Sequence, residues 1–226
     1  MYYTISIEYI MDYQTPKIFF NLNDHKHIVS IGDLCPTSMA LKSLNVYKES
    51  YPFDSINTTP KLILKYLKGQ EDFFPPKKKD NPRNVDGVWF GHFNFDDKHE
   101  ETIEIFKRRF ERLYELLKNK KKILFVYTSE SHIQNGLGMK PDYSLNYKQI
   151  EDIVDYIKDT YKYSDFKIIC FHINKTYPDT ENIVNYTINI PYEYLCENDR
   201  DLKMHDFKSM HRDTLKKLLN EINKSV

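Results

Sequence analysis

Five consecutive apolar residues, Ile123 to Tyr127, stand between a lysine triplet and a polar loop. A run that short, with no polar residue to face water, predicts a strand buried on both faces. Such a strand needs covering layers on both sides, which only helices or a second sheet can supply. Just upstream, Ile103, Phe106, Phe110, Leu113 and Leu117 recur at three and four spacing, the stripe of an amphipathic helix. Phe166 to Ile173 and Ile183 to Ile190 repeat the short apolar run, and Gln149 to Tyr161 repeats the stripe with Ile150, Ile153, Val154 and Ile157. Strands alternating with helices predict an α/β fold: one layered domain over residues 1–226, with a mostly parallel central sheet flanked by helices.

The remaining punctuation fits that frame. Tyr3, Ile5, Ile7 and Tyr9 alternate with polar residues, and Ile18 to Phe20 is a second short run, so residues 1–25 read as an N-terminal strand extension. His27 to Ile31 reads as a strand ending at Gly32. Pro36 to Leu44 has helical spacing, with Met39, Ala40, Ser43 and Leu44 close together on the wheel. Thr58 or Thr59 precedes Pro60, a favoured first helical position, and Leu62, Ile63, Tyr66 and Leu67 form a stripe up to Gly69. Residues 74–86 hold three prolines and a lysine run and read as an exposed loop. Val88 to Phe95 reads as a strand, and Asp96-Asp97 as a helix start. Residues 129–146, with Gly136 and Gly138, form a polar loop and a candidate lid. Asp206 to Ile222 closes the chain as an amphipathic helix. The pattern amounts to about five to seven strands and five helices.

Composition narrows the function. The chain has 33 basic and 33 acidic side chains and no net charge, which argues against bulk neutralisation of nucleic acid and against a polybasic membrane surface. Three cysteines, Cys35, Cys170 and Cys196, include no CxxC pair, so a zinc site is unsupported and a reducing compartment is expected. No apolar run reaches the roughly 20 residues needed to span a bilayer. The expectation is a soluble, intracellular, cytoplasmic protein without cofactor or metal. His25 and His27 alternate on one strand face, but without a third ligand they read as a solvated edge.

Three short stretches can carry chemistry. Ser30-Ile31-Gly32-Asp33-Leu34-Cys35-Pro36 ends a strand, turns, and presents a thiol at a helix start, where backbone N–H groups favour the thiolate. The bland alternative is a small packed residue. Trp89-Phe90-Gly91-His92-Phe93 places a histidine in an aromatic segment, suited to a general base or to a plain hydrogen bond with a carbonyl. Asp54, in Tyr51-Pro52-Phe53-Asp54-Ser55, is flanked by apolar groups and is a candidate to orient His92, or a turn residue. Arg108 and Arg109 stand out because only 6 of the 33 basic residues are arginine. They suit a phosphate or sugar ligand, or a solvated helix face beside Glu104 and Glu111.

These motifs, with Lys107-Arg108-Arg109-Phe110-Glu111-Arg112 and Leu124-Phe125-Val126, resemble the DUF1796 family over roughly residues 26–130. That family is of unknown function and is described in terms of papain-like cysteine peptidases. The resemblance implies Cys35 as nucleophile and His92 as base; Asp54 sits in the matched Pro-Phe-Asp motif as the third candidate. A papain-like fold sets a helical lobe against an antiparallel sheet, whereas the alternation read above predicts a mostly parallel one. The resulting expectation is a thiol-dependent hydrolase or acyl-transfer enzyme acting on a small molecule, peptide or glycan, with Asp33, Arg108 and Arg109 on the substrate side. The alternative is a glycan- or nucleotide-sugar-related binding module, or a pseudoenzyme, using the same pocket through Arg108 and Arg109.

Overall fold

The computed structural model describes residues 22, 25–32, 35–56, 58–77, 82–128, 143–189 and 213–223, with the backbone alone at 35, 36 and 143–146. Four strands, β1 (His27–Ser30), β2 (Ile123–Thr128), β3 (Phe166–Ile173) and β4 (Ile183–Ile188), form one sheet in the order β1-β2-β3-β4. Every pairing is parallel, in a register that aligns Val29 with Phe125, Phe125 with Ile168, and Ile168 with Ile183. Among the described residues five helices accompany it: α1 (Cys35–Ser43), α2 (Pro60–Lys68), α3 (His99–Lys118), α4 (Tyr143–Tyr161) and α5 (213–223).

The period of two in each strand divides the core. Val29, Phe125, Tyr127, Ile168, Cys170 and Ile183 face the apolar stripes of α2, α3 and α4. Ile28, Leu124, Val126, Ile169, Phe171 and Val184 face α1 and the Leu215, Leu218, Leu219 and Ile222 stripe of α5. All six residues of β2 are buried, as a strand covered on both sides must be. Each large apolar side chain so enclosed contributes about 1.5–3 kcal/mol.

The crossovers are unequal. Among the described residues, three helices lie between β1 and β2 and one between β2 and β3, but only residues 174–182 join β3 to β4. Parallel neighbours usually need a helical connection of about a dozen residues. Here the short return segment lies along β4, held by side chains in place of a helix. The Asn185 N–H donates to Asp179 Oδ1 at 2.8 Å, Asn185 Nδ2 donates to the Pro178 carbonyl at 2.7 Å, and the Thr176 and Thr187 hydroxyls meet at 2.9 Å.

Several boundaries move. The expected strand over Val88 to Phe95 is absent: Trp89 makes one isolated antiparallel bridge to Arg83, and residues 91 and 92 turn. The segment's aromatics pack on α3 and Phe73 instead of pairing in the sheet; the Phe73 ring meets Phe90 at 5.3 Å and Phe110 at 4.8 Å, edge to face. Residues 74–86 are not wholly exposed, because Pro75 and Asn84 are buried. Helix α1 buries Thr37, Ser38, Ala40 and Leu41 and leaves Met39 exposed, a different face from the one its apolar spacing suggested. Helix α3 starts after Asp96-Asp97, and α4 starts six residues before Gln149. The expected strands at Tyr3 to Tyr9 and Ile18 to Phe20, the glycines of the lid loop, and the first residues of the closing helix lie outside the described residues.

Candidate functional site

The turn after β1 is built by packing around Gly32. The Ile31 N–H still donates to the Val126 carbonyl at 2.9 Å, so the chain leaves the sheet immediately before the glycine. The Thr37 hydroxyl, in the first turn of α1, hydrogen-bonds the Thr128 hydroxyl at the end of β2. A Cβ on Gly32 would stand 2.7 Å from Thr128 Oγ1 and closer still to Thr37 Oγ1. Glycine is therefore the residue that lets α1 dock directly above the carboxyl end of the sheet, where parallel α/β domains bind ligands. Cys35 is the first residue of α1, so its backbone stands where unsatisfied N–H groups and the helix dipole favour an anion. Asp33, the Cys35 side chain and Cys196 lie outside what is described. The remaining cysteine, Cys170, is fully buried in β3, and that burial pushes its thiol far up.

Asp54 sits on a turn and in the core at once. Its backbone N–H donates to the Tyr51 carbonyl at 3.3 Å, and Ser55 beside it takes a left-handed φ of 61°. The carboxylate is 2% exposed. Its Oδ1 accepts from the Tyr47 hydroxyl at 2.5 Å and its Oδ2 from the Tyr51 N–H at 3.2 Å. Burial raises the acid, the two donors and the positive charges of Arg109 and Lys42 partly offset it, and the net position is about 6. The Tyr47 hydroxyl also hydrogen-bonds the Ser30 backbone, at the start of the Cys35 motif. Asp54 is thus joined through Tyr47 to the strand that carries Cys35.

His92 is exposed on the turn after Trp89 and Phe90, not on a strand, with its ring 6.0 Å from that of Trp89. The indole lies against Gly91, where no side chain would fit. The loop under it is fixed by Asn84. Its Oδ1 accepts from the Asp86 and Val88 N–H groups, and its Nδ2 donates to the Tyr66 hydroxyl and the Phe73 carbonyl. Gly87, with φ 79°, closes the turn that presents this side chain.

The two arginines part company. Arg108 is exposed on α3. Arg109 turns inward, its guanidinium 5.1 Å from the Phe106 ring and 5.5 Å from the Phe93 ring. It acts electrostatically on Asp54 and Tyr47, so it links the Asp54 turn to the His92 loop through Phe93. The structure therefore brings together Ser30, Tyr47, Asp54, Arg109 and Phe93, and places His92 next in sequence to the last of them. Sequence reasoning missed Tyr47, Thr37, Thr128 and Asn84. Only Asn84 carried a local signal, the Asp86-Gly87 turn two residues on; Thr37 and Thr128 act through each other across 91 residues, and Tyr47 meets Asp54 seven residues on with no motif to announce it. Among the described residues, no group of three His, Cys, Asp or Glu side chains could hold a metal ion, and no helix is long and apolar enough to cross a membrane.

Residues 26–137 match the model of a protein family described as DUF1796, putative papain-like cysteine peptidase. Comparison with curated proteins and with solved structures gives no match.

Proposed function

With residues 26–137 belonging to the DUF1796 family, we propose that the protein is a thiol-dependent hydrolase or acyl-transfer enzyme that uses Cys35 as nucleophile and His92 as base. The observation that carries this reading is the placement of Cys35 at the first residue of α1, at the carboxyl end of a parallel sheet, inside the matched segment. The Cys35 thiolate attacks a substrate carbonyl carbon, and the N–H groups of the first helical turn stabilise the resulting oxyanion. His92 takes the thiol proton and returns it to the leaving group. Water, or an acceptor nucleophile, then gives its proton to His92, attacks the thioester and releases the thiol. Asp54 acts through its neighbours: it accepts from Tyr47, which also bonds the Ser30 backbone at the end of β1, and its charge acts on Arg109, whose guanidinium lies near Phe93 beside His92. A second reading, a binding module without turnover, is favoured by the inward Arg109 alone.

Thiol labelling tests the proposal. Iodoacetamide followed by peptide mass spectrometry should modify Cys35 well ahead of Cys170, whose thiol is buried in the core. Replacing His92 by Ala should slow Cys35 by about 100-fold or more, the lower end of what general-base assistance contributes. Labelling of Cys35 no faster than Cys170 in the folded protein would remove the nucleophile from the mechanism.

A further inference from the structure

Arg109 is better prepared for a ligand than any other cation in the described chain. Its guanidinium lies 5.5 Å from the Phe93 ring and 5.1 Å from the Phe106 ring, two rings that pack on each other 4.7 Å apart, so both lie on one side of it and its N–H donors are left for other partners. One of these, Nη1, is buried and has no hydrogen-bond partner among the described residues. Asp54 acts on it by charge alone: its described side-chain hydrogen bonds come from the Tyr47 hydroxyl and the Tyr51 N–H. Buried donors on a charged group are normally paired. The neighbouring Arg112 shows the ordinary outcome on the same helix: its Nη1 donates to the Ser50 carbonyl at 2.5 Å and its Nε faces Glu49 at 3.8 Å.

We propose that Arg109 is a specificity-determining residue that binds a carboxylate on the substrate, through its unpaired Nη1, beside the Phe93–His92 turn. The proposal rests on the thiol-enzyme reading above and adds the class of substrate: an acyl compound with a free carboxylate near the reacting carbonyl. A planar carboxylate meets the guanidinium edge with parallel hydrogen bonds, which a neutral amide does not. Arg108, one residue earlier but exposed, provides an internal control.

Two measurements separate this proposal from the reading it rests on. The first needs no thiol chemistry. In the ¹⁵N-labelled protein, the Arg109 side-chain N–H resonance, assigned by its loss in Arg109→Lys, is followed while sodium acetate replaces sodium chloride at constant ionic strength. A saturable shift of Arg109 larger than that of Arg108 is expected, and no such shift overturns the proposal. The second compares iodoacetate with iodoacetamide at Cys35. The folded wild type should favour the anionic reagent relative to free cysteine. Arg109→Met should lower that preference about tenfold while leaving the iodoacetamide rate within about threefold. An unchanged preference in a folded Arg109→Met protein overturns the substrate role. If Cys35 resists both reagents, the enzyme reading fails, and with it the substrate role of Arg109, whatever the acetate titration shows for the anion site itself.

Discussion

The hydroxyls of Thr37 and Thr128 occupy the space in which a side chain at Gly32 would lie. The requirement for glycine here is one of packing: the two hydroxyls bond each other across the gap between α1 and β2. Gly32→Ala should therefore destabilise the fold by about 1–3 kcal/mol, the usual cost of overpacking. Thr37→Ala removes the closer obstacle. The double variant should lose less stability than the two single changes summed, measured by urea denaturation as a mutant cycle. Additive losses would mean that Gly32 is needed for some reason other than these hydroxyls. The glycine itself was legible as the end of a strand, but its reason was not, because Thr128 stands far along the chain on a different element. The same holds for Asp54. Its apolar flanks announced burial, yet nothing near it in sequence announced that Tyr47 would be its donor or that Arg109 would face it.

Elements whose signal is local were read closely. Helix α2 begins at Pro60 with Thr59 Oγ1 accepting from the Leu62 N–H at 3.4 Å, as its capping sequence predicts. Strand β3 has the bounds of its apolar run. The failures share a cause: side chains recruited by tertiary partners against their local pattern. Helix α1 turns Thr37 and Ser38 inward, and its more apolar Met39 outward, because Thr37 serves Thr128. The Val88 to Phe95 segment looks like a strand because it is rich in aromatics, but Phe90 and Phe95 are buried against α3 and Phe73, and the Val88 N–H goes to Asn84 Oδ1 instead of to a neighbouring strand. Asn84→Ala removes four side-chain hydrogen bonds at once, three to backbone groups and one to the Tyr66 hydroxyl, and should cost about 2–4 kcal/mol. The chain has a single tryptophan, Trp89, on this loop and 37% exposed. Its fluorescence emission should shift to the red in the variant as the loop loosens. Unchanged emission alongside a large loss of stability would show that the loop is held by its phenyl rings alone. A loosened loop should also move His92, so Cys35 labelling should slow in the same variant.

At the scale of the molecule, two buried titrating side chains oppose each other in mild acid. Asp54 lies in the family-matched half, and burial raises it from 3.8 to about 6. His172 lies on β3 in the other half, 4% exposed, with its Nε2 2.8 Å from Asn185 Oδ1. Because Asn185 Nδ2 already donates to Pro178, its Oδ1 is the acceptor and the His172 Nε2 carries the proton. Burial lowers this histidine from 6.5 to about 4. Between 3.8 and about 6, the folded chain holds more of the Asp54 proton than the unfolded chain does, so acidification through that window adds stability. Between about 4 and 6.5, the unfolded chain holds more of the His172 proton, so acidification removes stability. Each contribution amounts to up to roughly 3 kcal/mol, and the windows nearly coincide, so in the wild type the two largely cancel. Asp54→Asn should expose the histidine: its stability should fall more steeply than that of the wild type as pH drops from about 6 to 4. His172→Gln, which keeps a donor for Asn185, should fall less steeply. The double variant should return close to the wild-type slope, since the two side chains sit in separate packing environments and their effects should add. Urea denaturation at a series of pH values reads all four proteins. Parallel curves for wild type and Asp54→Asn would mean that Asp54 stays ionised throughout, held by Tyr47 and Arg109 more strongly than its burial opposes, and would move its role from proton-holding to fixed charge beside the His92 loop.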